Sequence, residues 1–298
     1  MDVNIFQVDA FTNKPFGGNP AGVVTNSKGL SESDMQKIAN EMNLSETIFI
    51  RQLEDCYFKV RYFTPLCEVD LCGHATIAGI FTLAKKGYIR AISKGTKKAR
   101  IETNVGTLTV DVAYQDYEPQ YVIMDQDTPS FIQRDVDIKR LADLLNIEET
   151  DIGINGVEVR PEIISTGLPD IILPVRNEEI LKKIVVDNKG LTNYSKELMV
   201  TGVHAFALDS DMEDEAIARN FAPAVGIPEE SATGTANGAL IYYLKRKEIL
   251  KGERLLVRQG YYMGRPSQIA CFLKQSEDRV LVRVGGSASI VLEGVMKF

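Results

Sequence analysis

Apolar and polar residues alternate loosely from Val3 to Thr12, the period-two pattern of a strand with one buried face. Lys14 to Gly22 breaks that pattern with two prolines and three glycines, so it reads as a shaped loop before a short strand, Val23 to Thr25. A capping-type start, Ser31-Glu-Ser-Asp34, precedes Met35, Ile38, Ala39 and Met42 at helical spacing, which predicts an amphipathic helix over 32–42. Strands are predicted at 48–50 and 57–63, the second stopped by Pro65. The next helix begins near Ala75, buries Ile77, Ile80, Phe81 and Ala84, and ends by Gly87. Residues 100–112 form a hairpin bent at Gly106.

The same vocabulary returns further on. Tyr121 to Met124 reads as a strand, and Ile138, Leu141 and Leu145 mark a helix. Two strand-like runs flank Ser165 to Pro169, and helices are expected near 177–185 and 190–199. Gly202 to Leu208 is a buried strand. Ser210 to Glu213 is expected to cap a helix leading to Arg219-Asn220-Phe221. Ala236, Ala239, Leu240, Tyr243 and Leu244 share one helix face, with Gly252 as the stop. Strands at 255–259, 267–273, 280–284 and 289–298 finish the chain. Strands outnumber helices, hairpins are expected to join them, and each half has one central apolar helix. The fold class is α+β, with mostly antiparallel sheets wrapped around a helix.

The two halves also share an order. Phe63-Thr64-Pro65 precedes Cys72-Gly73-His74-Ala75-Thr76, and Phe221-Ala222-Pro223 precedes Thr233-Gly234-Thr235-Ala236-Asn237. A duplicated domain leaves such a pattern, with two helix N-termini turned toward one cleft.

Composition narrows the function. The chain has 298 residues, long enough for two domains of ~100–200 residues each. A net charge of −7, with only the short basic run Lys94 to Arg100, argues against nucleic acid; that run reads as a solvated turn before a strand. No apolar run reaches the ~18–20 residues of a membrane span, and the first residues lack the pattern of a signal peptide. Four cysteines in a chain of this length are no disulfide framework, so they read as reduced and cytoplasmic. Cys67, Cys72 and His74 lack a fourth partner and a C-x-x-C hook, so no metal is expected.

Chemistry is expected at the two helix starts. A helix N-terminus carries unpaired N–H groups and partial positive charge, and glycine lets a ligand approach closely. Gly73-His74-Ala75 and Gly234-Thr235-Ala236 therefore suit the anionic group of a small carboxylate and an enolate forming beside it. The candidate proton carriers are Glu46, His74, Cys72 and Glu230. Glu46 stands between a helix and an apolar strand, which fits either a cleft-rim base or a solvated edge carboxylate. The loop holding Asn19 fits either a functional loop or a tight connection. Of the two histidines, His204 in an apolar strand reads as structural.

Several stretches together resemble the PhzF-like isomerases of phenazine biosynthesis, relatives of diaminopimelate epimerase. They are Val8 to Val24, Asn43 to Phe49, Arg61 to Pro65 with Glu68 to Thr76, Asn220 to Gly226, Gln259-Gly260 with Met263 to Ser267, and Val284 to Gly286. The resemblance implies two similar barrel-like domains, 1–117 with about 285–298 and 118–284, with the active site between them. It implies catalysis without metal or organic cofactor in a homodimer. It puts the acid/base role on Glu46, and substrate binding on Asn19, Gly73, His74, Glu230, Gly234 and Thr235. The sister epimerases use two cysteines; this chain has Cys72 at the first position and Thr233 at the second, which disfavours two-thiol racemisation. Where the family usually reads Glu-Asp-Pro-Ala-Thr-Gly-Ser-Ala, residues 229–236 place Glu230, Ser231 and Thr235, and loss of the proline predicts a looser loop. The expected function is a proton-shifting isomerase of a small carboxylate. The alternatives are a metabolite-binding protein that has lost turnover and a Cys72-dependent epimerase.

Overall fold

The computed structural model describes residues 2–208, 214–275 and 280–297. The chain divides into two compact units, 1–125 with 285–298, and 126–284.

The first unit holds β1 (Asp2–Ala10), β2 (Asn19–Val24), α1 (Glu32–Met42), β3 (Thr47–Glu54), β4 (Tyr57–Phe63), the short β5 (Glu68–Val69), α2 (Gly73–Lys85), β6 (Lys94–Thr103), β7 (Gly106–Gln115) and β8 (Glu118–Asp125). The second holds β9 (Ser130–Ile132), α3 (Ile138–Leu145), β10 (Glu162–Ser165), β11 (Pro169–Pro174), α4 (Glu178–Lys183), α5 (Asn188–Leu198), β12 (Gly202–Leu208), β13 (Glu215–Ala222), β14 (Ile227–Glu230), α6 (Gly234–Arg246), β15 (Arg254–Gln259) and β16 (Ser267–Gln275). β17 (Val280–Gly286) begins there and returns the chain to the first unit, where β18 (Ala288–Lys297) completes it.

In the first unit the strands run β18-β1-β2-β3-β4-β6-β7-β8. The pairs β2–β3 and β4–β6 are parallel and the others antiparallel. Helix α2 packs against β18, β1, β2 and β3, and also against β7 and β8, so the sheet wraps around it from both edges. That explains why α2 is apolar all round, with every residue from His74 to Ala84 buried. The second unit repeats the scheme as β9-β10-β11-β12-β13-β15-β16, with β11–β12 and β13–β15 parallel. Helix α6 is the counterpart of α2 and touches β10, β11, β12, β15 and β16. On the other side of that sheet, Ile171, Leu173, Val203 and Ala205 share a core with Leu141 of α3 and Leu191 of α5.

This is the α+β, mostly antiparallel arrangement expected, with local corrections. The segment expected as a helix before Phe221 is strand β13; its Ala216, Ile217 and Ala218 are buried between β12 and β15, and that pairing overrides the local acidic composition. Its expected cap, Ser210 to Glu213, lies outside the described residues. The basic run Lys94 to Arg100 belongs to β6 itself. Hairpins are not the sole connection, because helices also bridge the four parallel pairs. Glu248, at φ 59, supplies the left-handed residue after α6, ahead of Gly252. The first unit extends to Asp125 rather than 117, because β8 pairs with β7 along its length and packs on α2.

Helix α1 begins where its sequence predicts. The Asp34 N–H donates to Ser31 Oγ at 3.2 Å and the Ser31 N–H donates to Asp34 Oδ2 at 3.1 Å. Met35, Ile38 and Ala39 pack with Phe49 and Phe63. Ser31→Ala should cost about 1 kcal/mol in urea unfolding, the usual worth of such a cap.

Candidate active site

In the first unit the site is built at two chain turns. Helix α1 ends on Asn43 in the left-handed region (φ 49), three residues before Glu46. The Glu46 carbonyl accepts from the Gly22 N–H at 2.9 Å. A Cβ on Gly22 would lie 2.5 Å from Thr47 Oγ1, so only glycine allows β2 this close to Glu46. Glu46 is thereby fixed at the mouth of β3, its side chain 17% exposed.

Cys72 precedes α2 in extended conformation and makes no side-chain cap. The Thr76 hydroxyl donates to the Cys72 carbonyl at 2.7 Å, which leaves its lone pairs to accept from the buried Tyr62 hydroxyl, also at 2.7 Å. A Cβ on Gly73 would meet nothing within 4 Å, so glycine there is not required by packing. It leaves the helix start uncovered for a ligand.

These turns bring Glu46, Cys72 and His74 together. Glu46 Oε2 lies 3.2 Å from His74 Nε2, an ion-pair contact without the alignment of a good hydrogen bond. Cys72 Sγ lies 3.4 Å from His74 Nδ1. Burial alone would raise the Glu46 carboxyl, but the His74 charge and the polar hydrogens of His74 and Cys72 outweigh it, and the group is held below its ordinary range. Burial would lower His74, but Cys72 and Glu46 outweigh it and hold the imidazole well above its usual value. Burial pushes the Cys72 thiol up.

The three side chains also present O, S and N donors within 4.8 Å of one another. That set could supply three ligands to an ion such as zinc, whose structural sites take four. Cys67 is not among them and lies exposed. In competitive alkylation at pH 7.5, Cys67 should therefore react at least ~10-fold faster than the buried Cys72, because the reactive species is the exposed thiolate. Peptide mass mapping against time checks this.

In the second unit, Thr233 precedes α6 in the same extended conformation as Cys72 before α2, again without a side-chain cap. Its hydroxyl donates to Glu230 Oε2 at 2.6 Å. Gln259 organises the turn. Its Nε2 donates to the Glu230 carbonyl at 2.8 Å and to Thr233 Oγ1 at 3.1 Å, while its Oε1 accepts from Asn237 Nδ2 at 2.8 Å. Asn237 Oδ1 then meets His204 Nε2 at 3.2 Å, and His204 Nδ1 meets Asn220 Nδ2 at 3.2 Å. Only a neutral His204 with its proton on Nε2 satisfies both contacts. Burial pushes its pKa down to about 4, which agrees with the structural role expected of it.

Thr235 is tied to the β10–β11 turn, its carbonyl accepting from Thr166 Oγ1 at 2.8 Å. The turn before α6 is also tied at Ser231. Ser267 Oγ donates to the Ser231 carbonyl at 2.6 Å, and Gly260 (φ 76) packs so closely that a Cβ would lie 2.6 Å from that oxygen.

Of the residues singled out in the sequence, Glu46, Cys72, Gly73 and His74 thus cluster in the first unit, where Asn19 is buried at the first position of β2. Glu230, Thr233, Gly234 and Thr235 cluster in the second. Gln259, Asn237 and Asn220 were missed as a network. Thr233 and Asn237 at i, i+4 were a local clue, but Gln259 reaches them only through the fold.

The phenazine biosynthesis-like protein family (PhzC-PhzF) matches residues 8–294. The chain belongs to the PhzF family. An uncharacterised isomerase of Clostridium acetobutylicum is 36% identical over 97% of this chain and 96% of its own length. The trans-2,3-dihydro-3-hydroxyanthranilate isomerase of Pseudomonas aeruginosa is 30% identical over 96% of each chain. A PhzF-family crystal structure from Bacillus anthracis superposes with a TM-score of 0.88, at 29% identity and full coverage of both chains. The chain is thus a PhzF-like isomerase with the diaminopimelate epimerase-like fold. Among its described residues, no helix is long and apolar enough to cross a membrane.

Proposed function

We propose that this PhzF-family isomerase moves a carbon-bound proton within a small carboxylate, with Glu46 as the acid/base. The observation that carries this is the state of Glu46: a mostly buried carboxylate, one oxygen 3.2 Å from His74 and without an aligned donor. Such an oxygen is available to take a proton, and His74 can stabilise the negative charge that then forms on the substrate. The relative from Pseudomonas aeruginosa acts on trans-2,3-dihydro-3-hydroxyanthranilate, a cyclic amino carboxylate, and that substrate class is the one proposed here.

The helix starts at Gly73 and Gly234 would bind the substrate's anionic groups, with Asn19, Glu230 and Thr235 as further binding residues. The working form is proposed to be a cytoplasmic homodimer, checked by light scattering. A Cys72-led epimerisation is disfavoured by the raised thiol. The test is deuterium incorporation at carbon when the enzyme and candidate cyclic amino carboxylates are mixed in D2O. Incorporation accompanied by a shifted double bond is expected. A bound carboxylate whose carbon protons never exchange would mean a binding protein instead.

A further inference from the structure

The proton transfer proposed above uses Glu46 and His74 and leaves Cys72 without a task. Cys72 stands at the N-cap position of α2, yet its thiol does not cap the helix. Its Sγ instead lies 3.4 Å from His74 Nδ1 and 3.9 Å from Nε2. From the other chain turn, Glu46 Oε2 comes to 3.2 Å from His74 Nε2, a buried oxygen with no aligned donor. One sulfur, one nitrogen and one oxygen thus converge, all within 4.8 Å of one another.

These separations suit the ligands of one ion. Around a tetrahedral zinc, with bonds of about 2.0–2.3 Å, neighbouring donors stand roughly 3.3–3.6 Å apart. Oε2 and Nε2 already stand close to that spacing, and Sγ reaches it with a small movement of the Cys72 side chain. The donor types agree. Sulfur and imidazole nitrogen suit zinc or cobalt, whereas magnesium and calcium take oxygen ligands. Charge agrees too. One thiolate and one carboxylate balance a divalent cation, so the loaded cluster is neutral and avoids the cost of burying an unpaired charge.

The three ligands leave a fourth position for water, as in open zinc sites. Entry is possible beside them. Glu46 is 17% exposed, and a Cβ on Gly73, between Cys72 and His74, would meet nothing within 4 Å. In the sequence the third candidate ligand was Cys67, which is exposed and outside the cluster. Glu46 takes its place, supplied by the start of β3.

We infer that Glu46 Oε2, Cys72 Sγ and His74 Nε2 form an inhibitory site for zinc and ions like it. A bound ion occupies the Glu46 lone pair that would receive the substrate proton, and it holds His74 away from the substrate. Binding releases the thiol proton, and any proton on Nε2, to solvent. The binding stands on the geometry of the three side chains. The inhibition rests on the reading of Glu46 as the acid/base.

Cobalt(II) is the direct probe. Metal-free wild type titrated with cobalt should develop a thiolate-to-cobalt charge-transfer band and the strong visible absorption of a four-coordinate ion. Zinc should displace the cobalt and bind in the micromolar range or tighter. Cys72→Ala should lose the band and bind zinc at least ~100-fold more weakly, beyond the ~10–100-fold typical of losing an outer-shell partner. Cys67→Ser should keep both the band and the affinity. Should Cys72→Ala misfold, Glu46→Gln keeps the thiol, and should retain the band while binding zinc at least ~10-fold more weakly. Deuterium exchange by wild type should stop as zinc fills the site, with zinc held far below the substrate so that chelation of the substrate plays no part. Magnesium at the same concentration should leave exchange unchanged.

The inference is overturned if wild type shows no band, if the band survives in Cys72→Ala or vanishes in Cys67→Ser, or if zinc fills the site without slowing exchange. Absent exchange in the metal-free enzyme removes the isomerase mechanism and the inhibitory role with it, while the cobalt spectra still decide the binding site.

Discussion

Glu46→Gln should lower kcat by about 10³-fold, in the middle of the range for a positioned acid/base, while the protein stays folded. The substitution is nearly isosteric and removes the atom that accepts the proton. It also removes the anion opposite His74, so the alkaline limb of any residual activity should move to lower pH. The sign follows from the two shifts. Glu46 is held below its ordinary carboxyl range, so the active carboxylate persists until the pH falls well into the acid region. His74 is held well above the ordinary imidazole range, so the imidazolium persists through neutrality and is lost only on the alkaline side. Wild-type kcat should therefore show a broad plateau across neutral pH. Without the carboxylate, one of the groups that raises His74 is gone and the plateau narrows from above. Deuterium exchange rates for both proteins from pH 4 to 10 measure it. Equal exchange by wild type and variant would sink the assignment of Glu46.

The parts of this site that could be read from the sequence are the ones made by local turns. Ser31 with Asp34 announces α1, and the left-handed Asn43 ends it three residues before Glu46, although the Gly22 contact that fixes Glu46 is long-range. Gly73 and Gly234 announce the two helix starts in the same way. What was hidden depends on pairing. Strand β13 looks helical in isolation because acidic residues precede it, and only its place between β12 and β15 makes it a strand. The boundary at 117 was misplaced for a similar reason. Asp116 and Tyr117 form a two-residue hairpin with φ of 53 and 64, a turn type usually announced by Asn-Gly or Asp-Gly. Without that signature, β8 seems to open a new domain.

Asp170 of β11 is 2% exposed, its carboxyl accepts from the Gly202 N–H, and its Oδ1 has no hydrogen-bond partner. It was illegible for the most physical of these reasons. A carboxylate following a proline reads as a turn residue. Its burial comes from the register with Gly202 and from the helix α6 on its side of the sheet, both of which are long-range. Gly202 itself has no alternative, because a Cβ there would lie 1.9 Å from the Phe221 carbonyl oxygen.

Asp170→Asn should reverse the order of stability between acid and alkaline pH. The folded-state pKa of Asp170 is raised to about 7 from its ordinary 3.8, first by burial and then by Glu230. Its proton therefore favours the folded state. That contribution is complete below the unfolded value near pH 4, and is lost as the pH rises toward and through 7. By linkage the total loss is roughly 4 kcal/mol, the shift of about three units multiplied by ~1.4 kcal/mol each. Asparagine cannot ionise, so its variant escapes the loss. It can still accept from the Gly202 N–H, but it buries amide donors, which costs about 1–3 kcal/mol. At pH 4.5 that cost leaves the variant less stable than wild type. At pH 8 the escaped loss exceeds the cost, and the variant becomes more stable by about 1–3 kcal/mol. Urea unfolding of both proteins at the two pH values tests the crossing. A variant that is less stable at both, by the same amount, would mean that Asp170 is ionised throughout and that some group supplies its Oδ1 with a partner.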